Sequence, residues 1–387
     1  MNIAALAGNV DMFPIMRKWT FLNHAGVAPI PRCCAAAMVK YAGQAAEEAY
    51  IDCEWYKQIE ALRKSIAHLI HADKGEIAFV KNTSEGLSLV ANGLTWRPGD
   101  RVVTTAVEYP ANAYPWIDLQ QRQGIELLRI PEEQDAAGVR QVPLANILQA
   151  ADHPRTRLIT LSHVEFGTGQ RHDLKRIGEF CQQRDIRLCV DGIQSVGVLP
   201  VDVREMHIDY LSADGHKWML GPEGAGIFYC RKELVTQTHP ALIGWLNVEK
   251  PLDFDRIAFV LKSDAGRFEC GTHNLAGLLG LKASIDLIQS VGIEAIAARV
   301  GMLTDLLVAG LQQRGFTVVS PRQDGQASGI VSFTKAGLDH QKIALQLRRE
   351  HHVELAVRYG RLRCSPHFYN TPEEIEKLLT GMGHMGQ

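Results

Sequence analysis

Lys217 lies in SADGHKWMLGPEGAGIFY, residues 212–229, where a strand-like run ends and a glycine-rich turn leads into another. Its small and apolar neighbours suit a desolvated amine of lowered pKa, the form that attacks a carbonyl to make a Schiff base. A lysine at an arbitrary position is otherwise a solvated surface residue. Upstream, LCVDGIQSVG (188–197) closes a hydrophobic run on Asp191, with Gln194 soon after. A carboxylate there is costly to bury without a cationic partner. It reads either as a helix N-cap or as the partner of a protonated pyridine nitrogen, which an electron-sink cofactor requires. VKNTSEGLSLVANGL (80–94) gathers Thr83 and Ser84 at a helix N-terminus, an arrangement that binds phosphate and equally serves as an ordinary cap. AVEYPANAYPW (106–116) puts Tyr109 just past a strand end, where its ring can stack on a flat ligand or simply pack.

The elements that must position these residues show in the alternation of short β-branched runs with helix-length amphipathic segments. IAFV (77–80), RVVTT (101–105), IELLRI (125–130), RLITLSHV (157–164), IRLCVD (186–191), YLSAD (210–214) and GIFY (226–229) read as strands of a largely parallel sheet covered by helices on both faces. In such sheets ligands bind beyond the carboxyl ends of the strands, where the four candidate segments fall. From about residue 275 the pattern changes to a long helical stretch, roughly Leu275 to Arg314. FTVVS (316–320), GIVSFT (329–334), a helix from Asp339 to about Glu350, VELAV (353–357) and LRCS (362–365) follow. A last helix opens at Thr371-Pro372-Glu373-Glu374 with capping-box spacing. The expected organisation is an arm over 1–20, a large α/β domain over 21–285 and a smaller α+β domain over 286–387.

Composition excludes several function classes. The 387 residues carry 41 Lys+Arg against 43 Asp+Glu, a formal charge of −2. No long-range field favours nucleic acid or anionic lipid, and the basic clusters are only fragments such as Arg361-Leu362-Arg363. Eight cysteines without CxxC spacing match neither a disulfide scaffold nor a zinc site. His71, His163, His172, His351 and His352 are scattered, so no metal is expected. There is no signal-like amino terminus and no uninterrupted apolar run of membrane-spanning length, which suggests a cytoplasmic protein. GPEGAG at 221–226 has the wrong spacing for a dinucleotide fingerprint, and Ser195 in GIQSVG the wrong spacing for a hydrolase elbow.

Phosphate cradle, stacking aromatic, strand-end Asp and strand-end Lys, in that order, describe a pyridoxal-phosphate site. VDGIQSVG together with SADGHKWMLGPEGAG resembles the class V aminotransferase family of fold-type I pyridoxal 5'-phosphate enzymes, and the resemblance runs from FLNHAGVAPIP (21–31) to RCSPHFYNTPEEIEKLL (363–379). It implies that Lys217 forms the Schiff base with the cofactor and that Asp191 neutralises the ring nitrogen. It further implies that Gln194 bonds the ring hydroxyl, that Tyr109 stacks on the ring, and that Thr83, Ser84 and His216 hold the phosphate. Arg363 matches the arginine that grips the substrate α-carboxylate, Arg358 a second arginine of the pocket, and Asn23 a substrate-binding position. FECGTHN (268–274) resembles the loop that places Gly271 and Thr272 near a neighbour's phosphate, which implies a homodimer with shared sites.

Two departures bear on the activity. Cysteine desulfurases of this family carry a nucleophilic cysteine on a loop between the VR-G segment and the carboxylate-binding arginine. Here Val357-Arg358-Tyr359-Gly360-Arg361-Leu362-Arg363 joins those landmarks directly. Cys364, the nearest thiol, alternates away from the face of Arg363. SHVEFGTGQ (162–170) has Phe166 where desulfurases have asparagine. The expected activity is β-elimination at a carbon–sulfur bond of an amino acid by a desulfurase-like lyase lacking the loop cysteine. Epimerisation or transamination, and a non-catalytic protein that kept the fold, are the alternatives. The substrate side chain has no readable code, because the pocket walls come from loops such as 242–262.

Overall fold

Short runs of apolar residues form the central sheet of the computed structural model, which describes residues 2–323 and 325–383. The strands are β1 (Ile77–Val80), β2 (Arg101–Thr105), β3 (Glu126–Ile130), β4 (Thr156–Ser162), β5 (Arg187–Asp191), β6 (Tyr210–Asp214) and β7 (Gly226–Cys230). Their spatial order is β1-β7-β6-β5-β4-β2-β3. β7 runs antiparallel to β1 and β6, and the other pairs are parallel. The register sets Ser162 beside Asp191 and Asp191 beside Ser212, so three strand ends open on one edge.

Both faces of the sheet are covered, which is why its strands read as nearly unbroken apolar runs. Along β1, Ile77 and Phe79 enter one core while Ala78 and Val80 enter the other, the alternation that a pleated strand dictates. The first core is closed by α1 (Arg32–Glu47), α2 (Trp55–Leu69), α6 (Leu174–Gln183) and α7 (Leu275–Val291); the second by α3 (Thr83–Gly93) and α4 (Tyr114–Gln123). The short α5 (Leu144–Ala151) also packs into the first core through Ile147.

Close approach of α3 to the sheet depends on Gly86. A Cβ there would run into the Ser212 side chain of β6 and lie 3.2 Å from the Phe228 ring. Gly86→Ala is expected to cost about 1–3 kcal/mol through overpacking, read as a lower urea midpoint.

A second sheet of order β8-β9-β11-β10 is built from β8 (Thr317–Val318), β9 (Val331–Thr334), β10 (Ala356–Arg358) and β11 (Arg361–Cys364). It packs with α8 (Ile293–Gln313), α9 (His340–Glu350) and α10 (Pro372–Gly383) around a third core containing Leu307, Phe333, Leu347, Leu362 and Cys364. α10 opens on a Thr371/Glu374 capping box. Residues 384–387, which end the expected C-terminal domain, lie outside the described residues.

Two expected elements are divided. The helical stretch from Leu275 to Arg314 is two helices that meet at Gly292, whose φ of 91° no helix residue adopts. VELAV is not one strand: Val353–Glu354 pairs in parallel with Thr20–Phe21, whereas Ala356–Arg358 joins the second sheet. That split matters to the site, because the first pairing continues into a bridge between Asn23 and Ser365 and so carries Asn23 to the arginine in β11.

Candidate active site

A cleft of about 560 Å³ opens at the carboxyl edge of the large sheet. It is lined by Asn23, Thr83, Ser84, Tyr109, Asp191, Gln194, His216, Lys217, Arg358 and Arg363, so ten of the twelve residues singled out in the sequence meet in one space. Gly271 and Thr272 do not reach it. They line a separate cavity with Phe79, Lys81, Gly224 and His273.

Lys217 follows β6 and is 7% exposed. Its Nζ makes no hydrogen bond or ion pair among the described residues and lies 5.3 Å from the centroid of the Tyr109 ring. Burial, opposed by Asp191 and reinforced by Arg363, lowers its pKa to about 8. Asp191 ends β5, and its Oδ1 accepts from the Ile193 amide at 3.0 Å. Its Oδ2 is buried without a partner, so one oxygen closes the turn after the strand, where, among the described residues, no helix follows for it to N-cap, and the other is left for a ligand. Burial raises the Asp191 pKa to about 6, against the Ile193 hydrogen bond and the pull of Lys217.

At the end of β1, Asn82 caps α3 by accepting from the Glu85 amide at 3.0 Å. The cap is thus Asn82, and the Thr83 and Ser84 amides of the first turn precede any intrahelical acceptor. Thr83 Oγ1 accepts from the Asp214 amide at 3.0 Å, and Asp214 Oδ2 lies 2.9 Å from His216 Nδ1. Asp214 was not singled out in the sequence, yet it ties the helix terminus to the lysine turn. Gln194 is more occupied than its expected role requires: its Oε1 accepts from Trp218 Nε1 at 2.8 Å and its Nε2 donates to Ala25 O at 3.1 Å. One amide N–H is left for a ligand. Tyr109 is 44% exposed and meets Phe166 edge-on, with centroids 5.1 Å apart.

Arg363 is 1% exposed. Its Nη1 donates to Phe166 O at 2.9 Å and its Nη2 to Asn23 Oδ1 at 3.3 Å, while Nε has no partner. Burial and the like charge of Arg358 lower its pKa to about 9. No carboxylate pairs with it among the described residues, so the site holds an unneutralised cation of bidentate geometry. Phe166 thus contributes its backbone carbonyl, a role its side-chain type does not reveal.

These features fit pyridoxal phosphate. A buried amine without a partner, a buried carboxylate oxygen without a partner and a helix N-terminus face one cleft, and they match an aldehyde, a ring N–H and a phosphate respectively. Only the neutral amine attacks an aldehyde, and Lys217 deprotonates as the pH rises through about 8. The rate at which apoprotein covalently binds added pyridoxal phosphate is therefore expected to climb with pH up to that midpoint and then level off. A rate that stays flat across it would contradict the assignment.

Comparison with known proteins agrees. The aminotransferase class-V family model matches residues 20–378. A probable cysteine desulfurase of Methanothermobacter thermautotrophicus is 32% identical over 400 residues, covering 96% of this chain and 97% of that protein. The cystine C–S lyase C-DES, solved with its reaction product cysteine persulfide, superposes with a TM-score of 0.88 at 27% identity, over 97% of this chain and 100% of that one. A lysine-to-alanine variant of C-DES, with glycine covalently linked to its pyridoxal-phosphate cofactor, gives 0.88 at 26% identity over 98% and 100%.

Proposed function

The chain belongs to the aminotransferase class-V family of pyridoxal-phosphate enzymes, and on that premise we propose that it breaks the Cβ–S bond of an amino acid by β-elimination, using no thiol of its own. One observation carries the second half of this reading. β10 and β11 are joined by the two-residue turn Tyr359-Gly360, both with positive φ (50° and 70°), as a tight primed hairpin turn requires. A turn of that length holds no cysteine-bearing loop, and no cysteine lines the cleft among the described residues. Cys364 is fully buried in the third core, and burial pushes its thiol pKa up, away from the thiolate a nucleophile needs.

The cofactor, when bound, supplies an electron sink for charge that develops at Cα. The chain does the rest. The Thr83 and Ser84 amides and hydroxyls, with His216, would bind the phosphate at the α3 terminus. Asp191 Oδ2 would accept the ring N–H and hold that proton in place. The Tyr109 ring would serve the ring face, and the remaining Gln194 N–H would be free for the ring hydroxyl. Arg363, fixed by Phe166 O and Asn23, grips the α-carboxylate, and Arg358 adds positive charge beside it. The Lys217 amine takes the Cα proton. Loss of the sulfur substituent then gives 2-aminoacrylate beside a thiol, sulfide or persulfide, and uptake of water by the released aminoacrylate yields pyruvate and ammonia.

The exposed apolar segment of residues 242–260 supports a homodimer. It includes Leu252, Phe254, Ile257 and Phe259, and Ile257 is 99% exposed. Trp245 of the same segment lies against Gly271, which would take Gly271 and Thr272 to the partner's phosphate. All eight thiols are free, in keeping with a reducing cytoplasm.

The test is to incubate the enzyme in heavy water with L-cysteine, L-cystine and cysteine S-conjugates, following pyruvate, sulfide and deuterium at Cα. Pyruvate from one of them is expected. Deuterium exchange without pyruvate would turn the assignment to epimerisation, and a keto acid that retains its β-substituent to transamination. Cys364→Ala and Cys270→Ala are each expected to leave turnover within about twofold of wild type, with Cys364→Ala costing on the order of 1 kcal/mol of stability through its small cavity. Loss of turnover in either folded variant would reinstate a thiol.

A further inference from the structure

Beside Asp191, and outside the lining of the cleft, lie two buried carboxyls that the proposed chemistry does not use. Glu108 precedes Tyr109 and Glu165 precedes Phe166; they are 6% and 0% exposed. Neither has a lysine or arginine partner among the described residues. Glu108 Oε1 accepts from the Ser162 amide at 2.8 Å and its Oε2 from Ser162 Oγ at 2.7 Å. Glu165 Oε1 lies 3.2 Å from His172 Nε2, and its Oε2 has no partner. Between the two stands Thr105 Oγ1, 2.8 Å from Glu165 Oε1 and 3.4 Å from Glu108 Oε1.

Thr105 has a single hydroxyl proton, so two ionised carboxylates would leave one of its contacts between lone pairs. One proton on Glu165 resolves this: Glu165 donates to Thr105 and Thr105 donates to Glu108. Glu108 then accepts three hydrogen bonds, the environment of an anion. Ser162, which supplies the other two, is the register partner of Asp191. We infer that Glu108 and Glu165 hold one proton between them, on Glu165, and that the Glu108 carboxylate is a positioning charge that keeps the ring nitrogen protonated through Asp191.

The inference rests on the pyridoxal-phosphate reading for its second half only. Burial first, and Glu165 second, push the Glu108 carboxyl well up, against its two hydrogen bonds from Ser162; burial raises Glu165 to about 8 against the Thr105 hydrogen bond, with Asp191 and Glu132 adding to it. Both shifts favour a proton held by the pair, and the two Ser162 donors on Glu108 are what place it on Glu165. Burial holds His163 and His172 at about 3 and about 4, so both are neutral and supply no compensating charge. Cys189 on β5 is pushed up by burial and stays a thiol, and burial pushes Tyr359 up as well. A fixed negative charge one strand from Asp191 raises the proton affinity of everything hydrogen-bonded to Asp191.

Two readouts separate this from a merely structural tie between β2 and β4. In apoprotein at neutral pH, difference infrared spectroscopy should show the C=O stretch of a buried carboxylic acid that vanishes in Glu165→Gln and persists in Glu108→Gln. In holoenzyme loaded with ring-labelled pyridoxal phosphate, nitrogen NMR against pH should show the ring proton lost at a lower pH in Glu108→Gln, by on the order of one unit. Glu165→Gln, whose amide donates the same hydrogen bond, and Glu108→Asp, which keeps the charge, should retain the wild-type midpoint. Absence of the acid band, its loss in Glu108→Gln instead, or an unmoved midpoint in Glu108→Gln would each overturn the inference. A wild type that binds no pyridoxal phosphate would remove the cofactor reading, and with it the ring-nitrogen role. The infrared band would still decide where the proton sits.

Discussion

Lys217→Ala is expected to lower turnover by at least ~10³-fold while leaving the fold intact, because it removes the base at Cα and the covalent attachment point together. The fold should tolerate the change, since Nζ makes no hydrogen bond or ion pair among the described residues and its burial is unfavourable for the charged form. Borohydride reduction followed by mass spectrometry separates the two losses. Wild type should carry the reduced cofactor on the peptide containing Lys217. The alanine variant should carry none, although it can still hold the cofactor through Asp191 and the α3 terminus. Retention of turnover, or cofactor fixed on another lysine, would displace Lys217 from the mechanism.

Arg363→Met should separate binding from stability. Losing a buried bidentate contact to the α-carboxylate is expected to cost roughly 2–4 kcal/mol of substrate affinity, or about 30- to 1000-fold in KM. The same substitution removes a buried guanidinium that pairs with no carboxylate among the described residues and whose charged form burial already disfavours. A methionine of similar length is therefore expected to leave the apoprotein as stable as wild type or to stabilise it by about 1 kcal/mol. Thermal unfolding and KM measured on one preparation check both halves. A variant that unfolds at lower temperature and binds normally would reassign Arg363 to the scaffold.

The parts of the site that show in the sequence are those that sit next to their own strand ends. Asp191, Lys217, Thr83 and Tyr109 each follow a run whose composition announces a buried strand, and the parallel order of the sheet brings these ends together. What the sequence hides depends on strand neighbours. Glu108 and Glu165 meet only because β2 lies beside β4, and each looks in isolation like a loop carboxylate. Asn23 reaches Arg363 through the parallel pairing of Thr20–Phe21 with Val353–Glu354, a two-residue ladder too short to leave a pattern. Gly292 shows the limit of periodicity: one glycine in an amphipathic run is compatible with a continuous helix, and only its positive φ marks the break. Cys364 shows where local alternation suffices, since Arg363 faces the cleft and its neighbour the third core.

The account stands on sulfur leaving by elimination, without transfer to an enzyme thiol, and the carbon product distinguishes the two. Elimination from L-cysteine or L-cystine yields pyruvate and ammonia; transfer to a cysteine of the protein yields alanine and a protein-bound persulfide. Quantifying pyruvate, alanine and protein persulfide in one reaction of the wild-type holoenzyme is the direct measurement. Pyruvate equal to the substrate consumed, with neither alanine nor protein-bound persulfide, is the predicted result. Alanine in stoichiometric amount with persulfide on the protein would contradict it.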